Sequence, residues 1–426
     1  MKSPSPRSQG SPFDKRGIFH DKILHMKTYD KVGLAVPTII LPKDTNNLDK
    51  WAVVACDQFT SEKEYWEEAD KFIGDEPSTL RLIYPEVYLE EDNKEERIQK
   101  INQTMQEYLD KGIVEEKFEG FVYVERTLNP PAGGGKVRKG LVVALDLEKY
   151  DFHKGAKTLI RATEKTVEER IPPRVAIREN ALIELPHIMV LIDDQNDIIM
   201  KGARSAPLQK PLQKIYDFDL MLGGGHIRGY KIDDEKTIQQ IAEGLEGLIK
   251  DDFLYAMGDG NHSLATAKAC YEADPNELNR YALVELVNIH DEALEFEAIH
   301  RVVFDAPANI LEMISGPPAG GGEEIEIIKN GEKENIRIKN MGSNLAVGNL
   351  QILLDSIPNL KIDYVHGEES VKKLSAGNNI GFILPVMTKD QLFPTVAQDG
   401  ALPRKTFSMG EAEEKRYYLE ARRIKP

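Results

Sequence analysis

Residues 253–273 read FLYAMGDGNHSLATAKACYEA, and this stretch decides the fold class. Its apolar opening, residues 253–257, has the composition of a buried strand. A tight polar turn follows, Gly258-Asp259-Gly260-Asn261-His262-Ser263, after which Leu264, Ala267 and Tyr271 recur at helical spacing. Strand, glycine turn and helix start in direct succession make an α/β junction. Free backbone N–H groups and the positive end of the helix dipole meet there, an arrangement suited to a phosphate or carboxylate. Gly258, Gly260, Asn261 and Ser263 are therefore candidate phosphate-binding positions. Asp259 can hold a metal or orient a donor, and His262 can donate to a phosphate oxygen or shuttle a proton. No Gly-Lys-Ser/Thr follows, so this is not a Walker A loop, and Ser263 replaces the third glycine of a dinucleotide fingerprint. The plain alternative is that Asn261 or Ser263 caps the helix and His262 is satisfied within the turn.

The flanking sequence keeps the same alternation of strand and helix. Residues 32–41 and 51–55 read as buried strands, and Ser61 with Glu64 is a capping-box signature opening a helix through Phe72. A helix over 94–109 precedes β segments at 120–127 and 139–145, then a strand at 187–192 and an amphipathic helix over 236–250. The final third mixes strands at 323–328, 334–338, 362–365, 381–386 and 416–424 with helices at 349–356 and 368–374. In the last of these strands Tyr417, Leu419 and Ala421 alternate with Tyr418, Glu420 and Arg422. The fold class is α/β, of the mixed α+β kind. Four stretches are expected: a disordered leader over 1–30, an α/β segment over 31–150, a core over 151–300 carrying the site, and an α/β segment over 301–426. The hexapeptide PPAGGG occurs at 130–135 and again at 317–322; each copy precedes a β-like segment, which fits a loop tip and not a phosphate cradle.

Charge narrows the partners. The 426 residues include 55 Lys/Arg and 71 Asp/Glu, a net of −16. Seven basic and three acidic residues fall before position 32, so the rest carries 48 against 68, a net of −20. An acidic body argues against non-specific nucleic-acid or anionic-membrane binding. No apolar run approaches the ~20 residues of a membrane span, and the leader lacks the apolar stretch of a signal peptide, so a soluble cytoplasmic protein is expected. Cys56 and Cys270 form neither a metal-type spacing nor a disulfide framework.

Against this background residues 157–178 reverse the sign. Lys157, Arg161, Lys165, Arg170, Arg174 and Arg178 outnumber Glu164, Glu168 and Glu169, a net of +3. Guanidinium forks match phosphate and carboxylate, so the segment points to a small anionic ligand, with Arg161, Arg170 and Arg174 as its clamps. Pro172-Pro173 is expected to break any helix here and leave the later arginines on an extended or turning segment. Glu164 is the candidate general base; a solvated face of salt bridges is the alternative. Asp57 and Gln58 after the strand end, and Arg404 and Lys405 after a proline turn, are weaker candidates for substrate binding. Cys56 reads as a packing residue, with no activating base beside it.

Together, WAVVACDQFTSEKEYW, IRATEKTVEERIPPR, MGDGNHSLATAK, DYVHG and LPRKTFSMGEA resemble, in order, the bacterial family catalogued as domain of unknown function 1015, over residues 31–424. That family carries the ParB-like (SpoOJ) label, and its signature turn resembles that of the ParB/sulfiredoxin fold, which includes free-serine kinases. The resemblance implies a ParB/sulfiredoxin-like core with additional α/β subdomains. It places the phosphate-binding turn on Asp259, Gly260, Asn261, His262 and Ser263, and the activating glutamate on Glu164. Asn261, Ser263 and Thr163 depart from the family's His, Arg and His; the missing arginine passes its phosphate role to Arg161, Arg170 or Arg174. The implied activity is phosphate transfer from ATP, ADP or pyrophosphate, with Mg²⁺, to a hydroxyl of a small amino-acid-like substrate. A ParB-like nucleotide-binding protein acting on DNA and a non-catalytic phosphate sensor are the alternatives. A homodimer is left open, and so are the metal's ligands beyond Asp259.

Overall fold

Phe121–Thr127 and Val137–Asp146 pair antiparallel across seven-residue and ten-residue strands, forming the centre of an eleven-stranded mixed sheet. The computed structural model describes residues 26–129, 135–153, 155–205, 211–317 and 322–425. On one side of this hairpin lie His226–Ile232 and then Gln213–Asp219; on the other lie Tyr281–Asn288, Met189–Ile192, Tyr255–Asp259, Ile160–Arg161 and Tyr150–Asp151. Met189–Ile192 runs parallel to Tyr281–Asn288 and antiparallel to Tyr255–Asp259, so the candidate turn leaves the sheet beside the start of Met189–Ile192. The sheet takes strands from both sides of residue 150.

Because successive side chains of a strand face opposite ways, the central strands serve two cores. Phe121, Tyr123, Leu141 and Val143 pack under the helices Glu235–Glu246 and Asn261–Ala273. Val122, Val124 and Val142 pack instead with Trp51, Trp66, Ile101 and the tail residues Tyr417, Leu419 and Ile424. With both faces covered, these strands are nearly continuous apolar runs. A second, six-stranded sheet is centred on Phe296–Phe304, which pairs with Lys361–His366, Ile380–Ile383 and Phe407–Met409. Its core continues into Met189, Leu191 and Ala256 of the first sheet.

Several expectations are corrected. Ile171–Arg178 is a helix despite Pro172-Pro173, because the prolines occupy its first turn, where the missing N–H groups have no intrahelical partner anyway. The helix Lys63–Ile73 opens without a side-chain cap, so Ser61 and Glu64 form no capping box. Thr28 and Tyr29 pair with Ala35 and Leu34, which brings the chain into the sheet within the expected leader; residues 1–25 lie outside the described residues. Most of both PPAGGG copies lies outside them too.

The largest correction concerns the tail. Only Tyr417–Tyr418 and Arg422–Arg423 make ladders, with Val53–Val54 and Ile183–Glu184. Arg416, Glu420 and Arg422 are as buried as Tyr417, Leu419 and Ala421, so the alternation does not separate a wet face from a dry one. Arg416 bonds the carboxylates of Glu285 and Glu420, and the Tyr216 hydroxyl donates to Glu420. Arg126 and Arg138 each donate to the tail backbone, at Glu413 O and Glu414 O, both at 2.8 Å. Room for the buried Glu285 carboxylate comes from Gly140, where a Cβ would sit 2.1 Å from Oε1.

Candidate functional site

The turn after Tyr255–Asp259 is shaped by two glycines. Gly260 adopts φ +79° and a Cβ there would lie 3.1 Å from Ile188 Cα, while a Cβ on Gly258 would lie 3.0 Å from Leu191 Cγ. Both positions thus bring the turn hard against the neighbouring strand. Helix Asn261–Ala273 starts directly behind, with Gly260 as N-cap and no side-chain cap, so neither Asn261 nor Ser263 is its cap. The buried Asn261 Oδ1 has no hydrogen-bond partner among the described residues. Asp259 accepts from the Gly260 N–H at 3.0 Å and stands 3.4 Å from Lys415 Nζ.

Glu164 arrives beside the turn because its segment runs next to the same strand. Ile160–Arg161 pairs parallel with Tyr255–Ala256, and the Thr163 hydroxyl donates to Met257 O at 2.7 Å. On its other side Leu402 N–H donates to Thr163 O at 2.7 Å and Lys405 N–H to Glu164 Oε1 at 3.2 Å. Burial pushes the Glu164 pKa above the ordinary carboxylate value and the Asp259 carboxylate adds to the rise, against the pull of Lys405 and Arg404. Glu164, Asp259, Arg404 and Lys405, separated by as many as 241 residues, therefore face one place.

His262 accepts the Val167 N–H at Nε2, at 3.2 Å. Burial, then Arg174 and Arg170, lower its pKa from 6.5 to about 4. The ring is neutral near pH 7, and with Nε2 accepting, Nδ1 carries the proton. This favours donation to an anion and counts against the proton-shuttle role. It also sets a pH dependence. The folded pKa lies below the unfolded one, so the folded state binds fewer protons between them, and stability should fall as pH drops from about 6.5 to about 4. Urea midpoints across that window should decline less steeply for His262→Gln than for wild type; equal slopes would refute the assignment.

The arginines divide. Arg170 and Arg174 flank His262, and Arg174 donates to Arg170 O at 2.8 Å while pairing with Glu86. Arg161 is corrected: it donates to Thr158 O and Asp251 O, stacks over Phe253, and so reaches the end of the Tyr255–Asp259 strand remote from the turn. Its guanidinium is thus not brought to the turn with those of Arg170 and Arg174. Asp57 and Gln58 bond each other at 3.0 Å. Burial opposes ionisation of Asp57, yet His187, the Gln58 amide and Lys415 together hold its pKa below the ordinary value. The Cys56 thiol is pushed up by burial, in keeping with a packing residue.

Sequence reasoning missed His187, Lys415, Tyr418 and Glu86. His187 Nε2 lies 3.0 Å from Ser263 Oγ and 3.8 Å from Asp57 Oδ2, and its Nδ1 lies 2.7 Å from the Tyr418 hydroxyl. The one signal for it was a histidine heading an otherwise apolar strand. Mg²⁺ commonly takes one or two carboxylates plus phosphate oxygens, and Asp259 is the carboxylate in the turn that could serve it. Among the described residues no group of three or more His, Cys, Asp or Glu gathers to form a self-contained metal cage. No described helix is long and apolar enough to cross a membrane. A cavity of about 690 Å³ beside Thr45–Asp49 and Ile215–Met221 contains none of the candidate residues.

Comparison with known proteins gives three kinds of result. Among solved structures, a free serine kinase in complex with AMP is similar with TM-score 0.39 and 11% identity, covering 69% of this chain and 95% of that one. A conserved hypothetical protein from Pyrococcus furiosus gives TM-score 0.34 and 12% identity over 68% of this chain and 96% of that one. Likenesses this faint assign no activity. No curated protein matches. A family model described as protein of unknown function (DUF1015) matches residues 40–330, more than half of the chain, and the protein therefore belongs to the DUF1015 family.

Proposed function

We propose that the site transfers a phosphoryl group from a nucleotide or pyrophosphate to a hydroxyl of a small molecule. The observation that carries this reading is the convergence of a half-buried carboxylate with raised pKa, Glu164, on an anion-ready helix start ringed by Arg170, Arg174, Arg404 and Lys405. The donor's phosphates rest against the N–H groups that open helix Asn261–Ala273, with the His262 Nδ1–H donating to a phosphate oxygen. Glu164 takes the proton of the acceptor hydroxyl. The hydroxyl oxygen then bonds to the terminal phosphorus as the bond to the leaving phosphate oxygen breaks, and the charge on that oxygen is met by the surrounding guanidinium groups. Mg²⁺ would be held by Asp259 and would supply further charge neutralisation, which leaves Glu164 free as the base. Lys415, 3.4 Å from Asp259, holds that carboxylate in place.

The test is phosphorus NMR of the protein with Mg²⁺, ATP, ADP or pyrophosphate, and a panel of hydroxyl compounds that includes L-serine. A new phosphomonoester resonance is expected. Nucleotide-induced thermal stabilisation without any new ester would reduce the site to a phosphate sensor and remove the base role from Glu164.

A further inference from the structure

Behind the start of helix Asn261–Ala273 lies a second cavity, of about 140 Å³. Much of its lining is hydrocarbon, contributed by Leu82, Leu89, Met105, Ile177 and Leu283. Its polar lining is arranged in separate bonded sets. Ser263 bonds His187, which is 6% exposed and is fixed from behind by Tyr418, while Arg174 pairs with Glu86. Ser263, His187, Arg174 and Glu86 all border the cavity, and Ser263 and Arg174 also flank the phosphate turn. The cavity and the turn thus share a wall.

The charges in this lining are balanced before any ligand arrives. Arg174 faces Glu86, and Arg178 faces Glu184, which also holds Arg422. A ligand with net charge would meet no unmatched counter-charge on being buried, and desolvation would count against it. A zwitterion meets Arg174 with its carboxylate and Glu86 with its ammonium, while its hydroxyl is left to reach out of the cavity toward the turn. An acceptor as small as serine, with a single side-chain carbon, would leave the hydrocarbon lining without contacts.

We infer that this cavity is the acceptor pocket and that it takes a small, net-neutral hydroxyl compound with a branched aliphatic body, a β-hydroxy amino acid larger than serine. The inference rests on the phosphotransfer reading for its purpose, but binding to the pocket needs no phosphate donor. Calorimetric titration of the full chain, without nucleotide, with L-serine, L-threonine and β-hydroxyleucine tests it. Affinity should rise about fourfold for each methylene buried, which places β-hydroxyleucine at least about tenfold above serine. Met105→Trp, or Ile177→Trp from the facing helix, should abolish β-hydroxyleucine binding and leave nucleotide-induced thermal stabilisation unchanged. Equal or tighter binding of serine, or binding of none of the three, overturns the pocket. Binding in the expected order with no phosphoester formed overturns the phosphotransfer reading and leaves the pocket standing.

Discussion

Glu164→Gln should lower turnover by about 10²–10⁴-fold, the range a positioned general base supplies, while nucleotide affinity changes by less than about threefold. Glutamine keeps the shape and can still accept the Lys405 N–H, so the hydrogen bond that places residue 164 survives and only the proton acceptor is lost. Because burial raises the Glu164 pKa, the wild-type rate should climb with pH through a limb lying above the ordinary carboxylate range. The sign is that of a base, active once deprotonated. Residual turnover of the glutamine variant should lack the limb. A variant as fast as wild type, or one that retains the same limb, would place the base elsewhere.

Arg416→Met should destabilise the fold by about 3–5 kcal/mol, since it strands two buried carboxylates that share one guanidinium. Glu285 and Glu420 both lose their cation, and the Tyr216 hydroxyl is left bonding an uncompensated charge. Guanidinium unfolding midpoints would measure the loss. The double variant Glu285→Gln/Arg416→Met should recover part of it, because the neutral amide removes one of the stranded charges. If the single variant unfolded at the wild-type midpoint, the buried network would not be what holds the tail. Lys415 and Tyr418 flank Arg416, so loss of the anchor should also loosen the contacts to Asp259 and His187.

What could be read from the sequence was what is encoded locally. The strand, turn and helix of residues 253–273 declare themselves through apolar periodicity and two glycines, and the pairing of 121–127 with 137–146 follows from two β-rich runs joined by a long glycine-rich turn. The proline pair was legible but misjudged: the same residues that stop a helix interior are at home in its first turn. Arg161 shows a different limit. A guanidinium count cannot distinguish a ligand clamp from one bonded to carbonyls of Thr158 and Asp251. His187 and Arg416 escaped because their partners lie 231 and 131 residues away, and neither composition nor spacing carries contacts over that range. Charge arithmetic locates the basic segment, yet it carries nothing about the burial of the tail's Arg416, Glu420 and Arg422.

The threading of the tail also fixes an order of events for a chain made from its first residue onward. The Trp51 indole donates to Leu419 O, 368 positions downstream, and Ile40 exchanges backbone bonds with Ala421. The layer built from residues 38–54 therefore waits, with its seam open, for nearly the whole sequence to be synthesised. During that wait its apolar face and unpaired strand edges are available to chaperones and to other nascent copies. The loop that finally closes spans 368 positions, so this layer should be the slow step in making the protein and the first to part when it is pulled from the tail.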